Sequence, residues 1–218
     1  VWSYICQELL NHNYLIIGID NYSKYGKIVR NHNKHINYEL HELDIIKNKR
    51  EIINLINLIN PNFIIHAAAK IGGIHYFHKN PYSIIRDNSL IDNIIINAAC
   101  SLKNLNKFVA ISSSMVFENS KNFPSTESSL KECITPSSSY GFSKLSLEYK
   151  IRSAHQQNNI KFCILRLFNA IGIGEDDFIK GEQSHVIPDL IVKCLQDQES
   201  LEILGNGSQI RHFTSAID

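Results

Sequence analysis

A tyrosine and a lysine four residues apart carry the clearest chemistry in this sequence. They lie in the segment Pro136-Ser-Ser-Ser-Tyr140-Gly-Phe-Ser-Lys144, where a helix is predicted to begin. Residues four apart share one helix face, so the ammonium group and the phenol are expected to be neighbours. A positive charge beside a phenol favours the phenolate and lowers its pKa. The pair therefore predicts a general base that can accept a proton from a hydroxyl group.

The elements that must position this pair alternate along the chain. Four apolar runs rich in β-branched residues predict strands buried on both faces, namely Tyr14–Ile19, Phe63–Ala68, Phe108–Ser112 and Phe162–Leu167. Segments with helical periodicity lie before and between them, at Ile5–Leu10, Ile45–Ile59, Tyr82–Leu102 and Tyr140–Gln157. This alternation predicts an α/β fold with right-handed βαβ units and a doubly wound parallel sheet. Ligands of such a sheet bind at the carboxyl ends of its strands.

Composition excludes several classes of partner. The chain has 218 residues, of which 44% are hydrophobic and 20% are charged, with a formal net charge of +1. This balance predicts neither nucleic acid nor an anionic membrane as partner. The apolar runs are too short to span a bilayer, and no signal peptide is recognisable, so we expect a cytoplasmic protein. The five cysteines show no metal-ligand spacing, and the pairs His32/His35 and His75/His78 have no third ligand in view, so no metal is expected.

The turn after the strand Phe108–Ser112 carries a resemblance to a known family. Its sequence Ser112-Ser-Ser-Met-Val-Phe117 resembles that of the extended short-chain dehydrogenases/reductases, in the NAD-dependent epimerase/dehydratase family of nucleotide-sugar enzymes. Matching Phe117 to the family's aromatic residue places Ser113 at the catalytic serine. The resemblance implies that Ser113, Tyr140 and Lys144 are catalytic, and that Lys144 also holds the nicotinamide ribose. Tyr140 would be the base while hydride leaves the sugar for the cofactor.

The same resemblance implies a cofactor site. The carboxylate of Asp20 would accept both ribose hydroxyls and repel a 2′-phosphate, which favours NAD over NADP. Trp2 stands where the family has its third fingerprint glycine, and a side chain of that size would crowd the pyrophosphate. The residues implied to contact the cofactor are Asp20, Asn21, Asp44, Ile45, Ala67, Ala68, Ala69, Asn88, Tyr140, Lys144 and Phe168.

A nucleotide-diphosphate sugar is the substrate that the resemblance implies. Its contacts are expected from Lys70, Ser114, Asn169, His185, Val186 and Arg211. The guanidinium of Arg211 is suited to a bidentate contact with phosphate. His185 matches the acid of the GDP-fucose synthases, and the imidazole is suited to proton transfer near neutral pH. Met115, however, stands where those enzymes have their partner cysteine.

Several reactions are compatible with this set of residues. Ser114 and Met115 occupy the positions of the Asp-Glu pair of the dehydratases, and the decarboxylases' glutamate is also absent, which leaves transient oxidation at sugar C4. We therefore expect an NAD-dependent epimerase similar to UDP-galactose 4-epimerase. One alternative is a GDP-fucose synthase-like epimerase/reductase or a 4-keto-sugar reductase using NADP(H). Another is a non-catalytic homologue that binds a nucleotide sugar or a protein.

The resemblance to the family also implies a domain organisation. We expect a Rossmann-like NAD-binding domain over residues 1–171, whose first strand and glycine-rich turn are missing. Residues 172–218 are expected to form part of a small C-terminal substrate-binding domain, truncated soon after the apolar run Leu201–Leu204. The family analogy also implies a homodimer that pairs the helices Asn88–Leu102 and Tyr140–Gln157.

Overall fold

The computed structural model describes residues 1–174, 185–196, 200–201, 203 and 205–218. The helices in these ranges are α1 Trp2–Asn11, α2 Lys49–Ile59, α3 Ile74–Lys79, α4 Pro81–Ser101, α5 Ser139–Asn158 and α6 Val186–Leu195. The strands are β1 Ile16–Asp20, β2 Tyr38–Glu42, β3 Phe63–His66, β4 Lys107–Ser113, β5 Phe162–Leu167, β6 Ala170–Ile171 and β7 Thr214–Ser215. Short 3₁₀ turns cover Asn31–Lys34, Ser114–Phe117 and Glu127–Lys131. Part of the run Leu201–Leu204 lies outside the described residues.

The strands pair in parallel throughout the described part of the chain. β1 pairs with β2, with Ile16 opposite Tyr38. β4 lies between β3 and β5, with Phe108 opposite Ile64 on one side and Phe162 on the other. β6 pairs with β7. The predicted α/β architecture with parallel, helix-connected strands is confirmed.

The main core lies around the β3–β4–β5 sheet and the helices α2, α4 and α5. Phe108 of β4, Ile52 of α2, and Leu147 and Ile151 of α5 are all almost fully buried in it. Each such side chain contributes about 1.5–3 kcal/mol by leaving water. A smaller cluster of Cys6, Leu10 and Ile16 holds α1 against β1. The two clusters hold the helices against the strands, whose carboxyl ends are where a ligand site is expected.

Asparagines end two of the core helices. Asn60 follows α2 with φ +46°, and Asn159 follows α5 with φ +56°. Both are in the left-handed conformation that terminates a helix, which asparagine tolerates better than most residues. The chain can therefore turn directly into β3 and β5.

Helix α2 begins four residues later than the sequence predicts. The carboxylate of Asp44 accepts hydrogen bonds from the backbone N–H groups of Ile46 and Lys47, both at 2.9 Å. The side chain of Asn48 in turn accepts from the N–H of Asp44 at 3.1 Å. These bonds hold residues 44–48 in a turn, because Asp and Asn side chains compete with the helix for nearby backbone groups. The helix therefore starts at Lys49.

Candidate active site

The first turn of α5 is fixed by the residues just before it. The hydroxyl of Ser138 accepts a hydrogen bond from the N–H of Gly141 at 3.0 Å, which caps the helix. Glu118 accepts from the N–H and the hydroxyl of Ser138, at 3.0 and 2.6 Å. A side chain at Gly141 would lie 2.7 Å from the carbonyl oxygen of Met115. Only glycine therefore allows α5 to approach the turn after β4 this closely.

This close approach brings the three predicted catalytic side chains together. The hydroxyl of Ser113, at the end of β4, hydrogen-bonds the phenol of Tyr140 and accepts from the N–H of Met115 at 3.2 Å. The ammonium of Lys144 donates to the carbonyl of Ile111 at 2.8 Å. It lies 5.9 Å from the centroid of the Tyr140 ring. A serine, a tyrosine and a lysine thus meet where β4 ends and α5 begins.

Burial shifts the pKa values of this group. Tyr140 and Lys144 are each only 5% exposed. Burial lowers the pKa of Lys144 to about 8, with the charge of Asp92 acting in the opposite direction. Burial also raises the pKa of Tyr140 to about 12, although its hydrogen bond with Ser113 lowers it. The sequence-based expectation of a lowered phenol pKa is therefore wrong for the protein by itself, because desolvation outweighs the hydrogen bond with Ser113.

A buried carboxylate that the sequence reasoning missed holds the site's three supporting elements together. Glu148 of α5 is 1% exposed. It accepts two hydrogen bonds from Arg166 of β5, both at 2.8 Å, and one from the hydroxyl of Ser112 of β4 at 2.7 Å. Its position four residues after Lys144, on the same helix face, was the available signal.

Asn88 joins the loop after β3 to α5. Its side-chain oxygen accepts from the backbone N–H of Lys70 at 2.6 Å, and its amide donates to the carbonyl of Lys70 at 3.2 Å. The same amide donates to the hydroxyl of Ser143 at 3.1 Å. The Lys70 ammonium is paired with Asp87 at 2.6 Å. Asn88 therefore sets the path of the backbone at Ala67–Ala69, which are all half-buried.

Three predicted cofactor residues gather at the carboxyl ends of β1 and β2. A cavity of about 250 Å³ there is lined by Asn21, Ser23, Glu42, Leu43, Asp44 and Lys47. The amide of Asn21 donates to Asp44 at 2.8 Å. The exposed carboxylate of Asp20 accepts from the N–H of Tyr22 at 2.7 Å. The side chain of Ile45, in contrast, is buried in the main core.

Trp2 is turned towards β2. It is half-buried against the small cluster beneath α1, and its side chain hydrogen-bonds the hydroxyl of Tyr38. The Tyr38 ring in turn covers Gly18 of β1, where a side chain would lie 2.8 Å from the phenol oxygen. The indole is thus part of the packing between α1 and the β1–β2 pair.

The predicted substrate residues are spread over two places. The amide of Asn169 donates to the carbonyl of His212 at 2.7 Å, which brings the segment containing the exposed Arg211 to the end of β5. Phe168, which is a predicted cofactor contact beside Asn169, stacks on Phe117 with ring centroids 6.4 Å apart. Ser114 is the half-buried first residue of the turn after β4.

His185 lies in a different cavity, of about 160 Å³. Tyr4, Arg30 and Gly172 are among the residues that line it. The next residue, Val186, begins α6 and is 49% exposed. Ser113 and Tyr140 are not among the described residues that line this cavity.

Two features are absent from the described part of the chain. None of its helices is long and apolar enough to cross a membrane. Within the same residues, no group of three or more His, Cys, Asp or Glu side chains is placed to hold a metal ion.

Comparison with known proteins assigns the family. The model of the NAD dependent epimerase/dehydratase family matches residues 2–218, and the chain belongs to this family. The resemblance found in the sequence is confirmed.

Individual relatives are distant and longer. The chain is 25% identical over 179 residues to a GDP-L-fucose synthase from Dictyostelium discoideum, covering 79% of this chain and 55% of that protein. It is 24% identical over 222 residues to a UDP-glucose 4-epimerase from Rhizobium leguminosarum bv. trifolii, covering 100% and 64%. The UDP-N-acetylglucosamine 4-epimerase from Methanobrevibacter ruminantium M1, solved in complex with UDP-N-acetylmuramic acid, superposes with a TM-score of 0.82 at 26% identity, covering 99% and 65%. The chain thus spans less than two thirds of each of these proteins.

Proposed function

We propose that the protein is an NAD-dependent nucleotide-sugar epimerase that inverts a sugar carbon by transient oxidation at C4. The observation that carries this proposal is the meeting of Ser113, Tyr140 and Lys144 at the end of β4. In a chain that belongs to the epimerase/dehydratase family, this group fits the removal of a proton from a sugar hydroxyl.

Each of the three side chains has a distinct role in this proposal. The phenolate of Tyr140 accepts the proton of the C4 hydroxyl. The hydroxyl of Ser113, which is hydrogen-bonded to the phenol, bridges Tyr140 and the sugar oxygen. Lys144 carries a positive charge below its pKa of about 8, and this charge favours the phenolate against the opposing effect of burial. When bound, NAD would accept the hydride from C4 and return it to the opposite face of the ketone.

The residues at the ends of β1 and β2 fit the adenosine portion of NAD. The cavity of about 250 Å³ is bordered by polar groups that include Asn21 and Asp44. The exposed carboxylate of Asp20 suits the two ribose hydroxyls as donors and would repel a 2′-phosphate. This supports NAD rather than NADP. We assign residues 1–171 to an NAD-binding domain and residues 172–218 to part of a substrate-binding domain.

Simple epimerisation also agrees with the residues that follow Ser113. Ser114 and Met115 form the start of the 3₁₀ turn directly after β4. A thioether neither donates nor accepts a proton near neutral pH. Met115 therefore supplies no acid for dehydration, or for the C3/C5 epimerisation of a GDP-fucose synthase-like enzyme. His185 matches the acid of that reaction, and the described lining of its cavity includes neither Ser113 nor Tyr140. The nucleotide sugars bound by relatives support a substrate of the same class.

The cofactor and the reaction can be tested together on the whole protein. The purified protein is denatured, the released supernatant is assayed for NAD and NADP, and undenatured protein is incubated with UDP- and GDP-hexoses. We expect stoichiometric NAD, and interconversion of one C4-epimeric pair without added cofactor. Protein that binds only added NADPH would instead indicate a reductase. Binding of neither cofactor would indicate the non-catalytic alternative.

A further inference from the structure

The phenol ring of Tyr140 is covered by an aromatic residue from another element. Phe77, on the short helix α3, stacks on it with ring centroids 4.8 Å apart and an angle of 10° between the ring planes. The pair is stacked, which is one of the arrangements that aromatic rings prefer in protein interiors. The contact joins the loop after β3 to the catalytic end of α5.

Glycine allows α3 to reach this position. A side chain at Gly72 would lie 2.9 Å from three carbon atoms of Tyr76, so the absence of one lets the Tyr76 side chain fold back over the loop. The N–H of Phe77 donates to the carbonyl of Gly73 at 3.2 Å. At the far end, the amide of Asn80 donates to the carbonyl of Tyr76 at 3.2 Å. The short helix is therefore tied at both ends, with Phe77 held over the Tyr140 ring.

We propose that Phe77 is a positioning residue for Tyr140, fixing the plane of the phenol ring and shielding one of its faces from water. The effect of Phe77 on catalysis rests on the proposed function, in which Tyr140 is the base. The shielding of the phenol from water is independent of that function, because it depends only on the contact between the two rings. Lys144 from α5 and Ser113 from β4 also face the phenol, and neither belongs to the element that carries Phe77.

Tyrosine nitration measures this shielding directly. Tetranitromethane attacks the ionised and accessible phenol, and Tyr140 has a pKa raised to about 12 mainly by burial. Phe77→Ala should admit water and move that pKa towards its ordinary value. A fall of one unit multiplies the ionised fraction about tenfold at pH 8. We therefore expect nitration of Tyr140, followed by peptide mass spectrometry, to be about tenfold faster or more in Phe77→Ala.

Two controls separate shielding from a general loss of structure. Tyr149, on the same helix and 67% exposed, should be nitrated at the same rate in both proteins. Phe142→Ala removes a 42% exposed ring from the first turns of α5 and should leave nitration of Tyr140 unchanged. If Phe77→Ala does not fold, Phe77→Leu replaces it, since leucine keeps apolar volume without a flat ring. An unchanged rate at Tyr140 in the folded variant would overturn the proposal.

The pH dependence of turnover then tests the link to catalysis. With Tyr140 as base, Phe77→Ala should move the acid limb of the kcat/KM profile to lower pH. Faster nitration together with an unmoved acid limb would retain the shielding but contradict the role of Tyr140 as base. The failure of this inference and the failure of the proposed function are thus distinguishable.

Discussion

Replacing Glu148 by glutamine removes a buried negative charge that joins α5, β4 and β5. The glutamine keeps the size of the side chain and one oxygen acceptor. The Arg166 guanidinium, only 12% exposed, loses the carboxylate that raises its pKa. Removing one partner of a buried ion pair costs about 3–5 kcal/mol, because the remaining charge stays buried without compensation. Since Arg166 keeps some contact with water, we expect a loss of about 3 kcal/mol in the free energy of unfolding.

Urea unfolding of the wild type and of Glu148→Gln measures this loss, and equal m-values would show that the change lies in stability alone. Glu8→Gln is the matched control, because Glu8 is 70% exposed in its pair with His12 and exposed pairs contribute little. A double-mutant cycle with Arg166→Gln should show strong coupling between the two positions. A loss below about 1 kcal/mol in Glu148→Gln, comparable to that of an exposed pair, would refute the reasoning.

Two further predictions concern other buried groups. Lys144 has a pKa of about 8 in the folded protein against an ordinary value of 10.5, so the unfolded chain binds more protons between these values and Lys144 makes stability rise with pH over that window. Lys144→Met should remove this rise in the free energy of unfolding, which urea unfolding at several pH values measures. A rise of the same size in Lys144→Met would contradict the assignment to Lys144. Burial raises the pKa of the Cys6 thiol to about 12, whereas Cys194 is exposed. At pH 8, iodoacetamide should therefore alkylate Cys194 and spare Cys6 in the native protein, and peptide mass spectrometry showing both modified alike would contradict this.

Apolar runs and helical periodicity were sufficient to predict much of the fold. The strand at Phe162–Leu167 was predicted with the observed bounds, and helix α5 is one residue longer at each end than the predicted Tyr140–Gln157. Strand β2, Tyr38–Glu42, was not predicted, because its sequence Tyr-Glu-Leu-His-Glu is mainly polar. Pairing with β1 stabilises it, and such tertiary pairing can override local composition.

The spacing of Tyr140 and Lys144 at a predicted helix start was enough to pair these two residues, and the resemblance to the family placed Ser113 with them. The sequence could not predict the raised pKa of Tyr140, which depends on how completely the surrounding elements bury the phenol. The cover provided by Phe77 depends on the path of the loop before α3. Hydrophobic periodicity does not determine such a path, because it reports which helix face is buried and not what lies against it.

The role of Tyr140 as the base is the central claim, and Tyr140→Phe tests it most directly. The substitution removes one hydroxyl and leaves the ring that stacks on Phe77. Tyr149→Phe, at a 67% exposed position of the same helix, is the matched control. We expect Tyr140→Phe to lose about a hundredfold or more in turnover of the nucleotide sugar, with bound NAD retained, while Tyr149→Phe turns over as the wild type does. Turnover that persists in Tyr140→Phe would contradict the account.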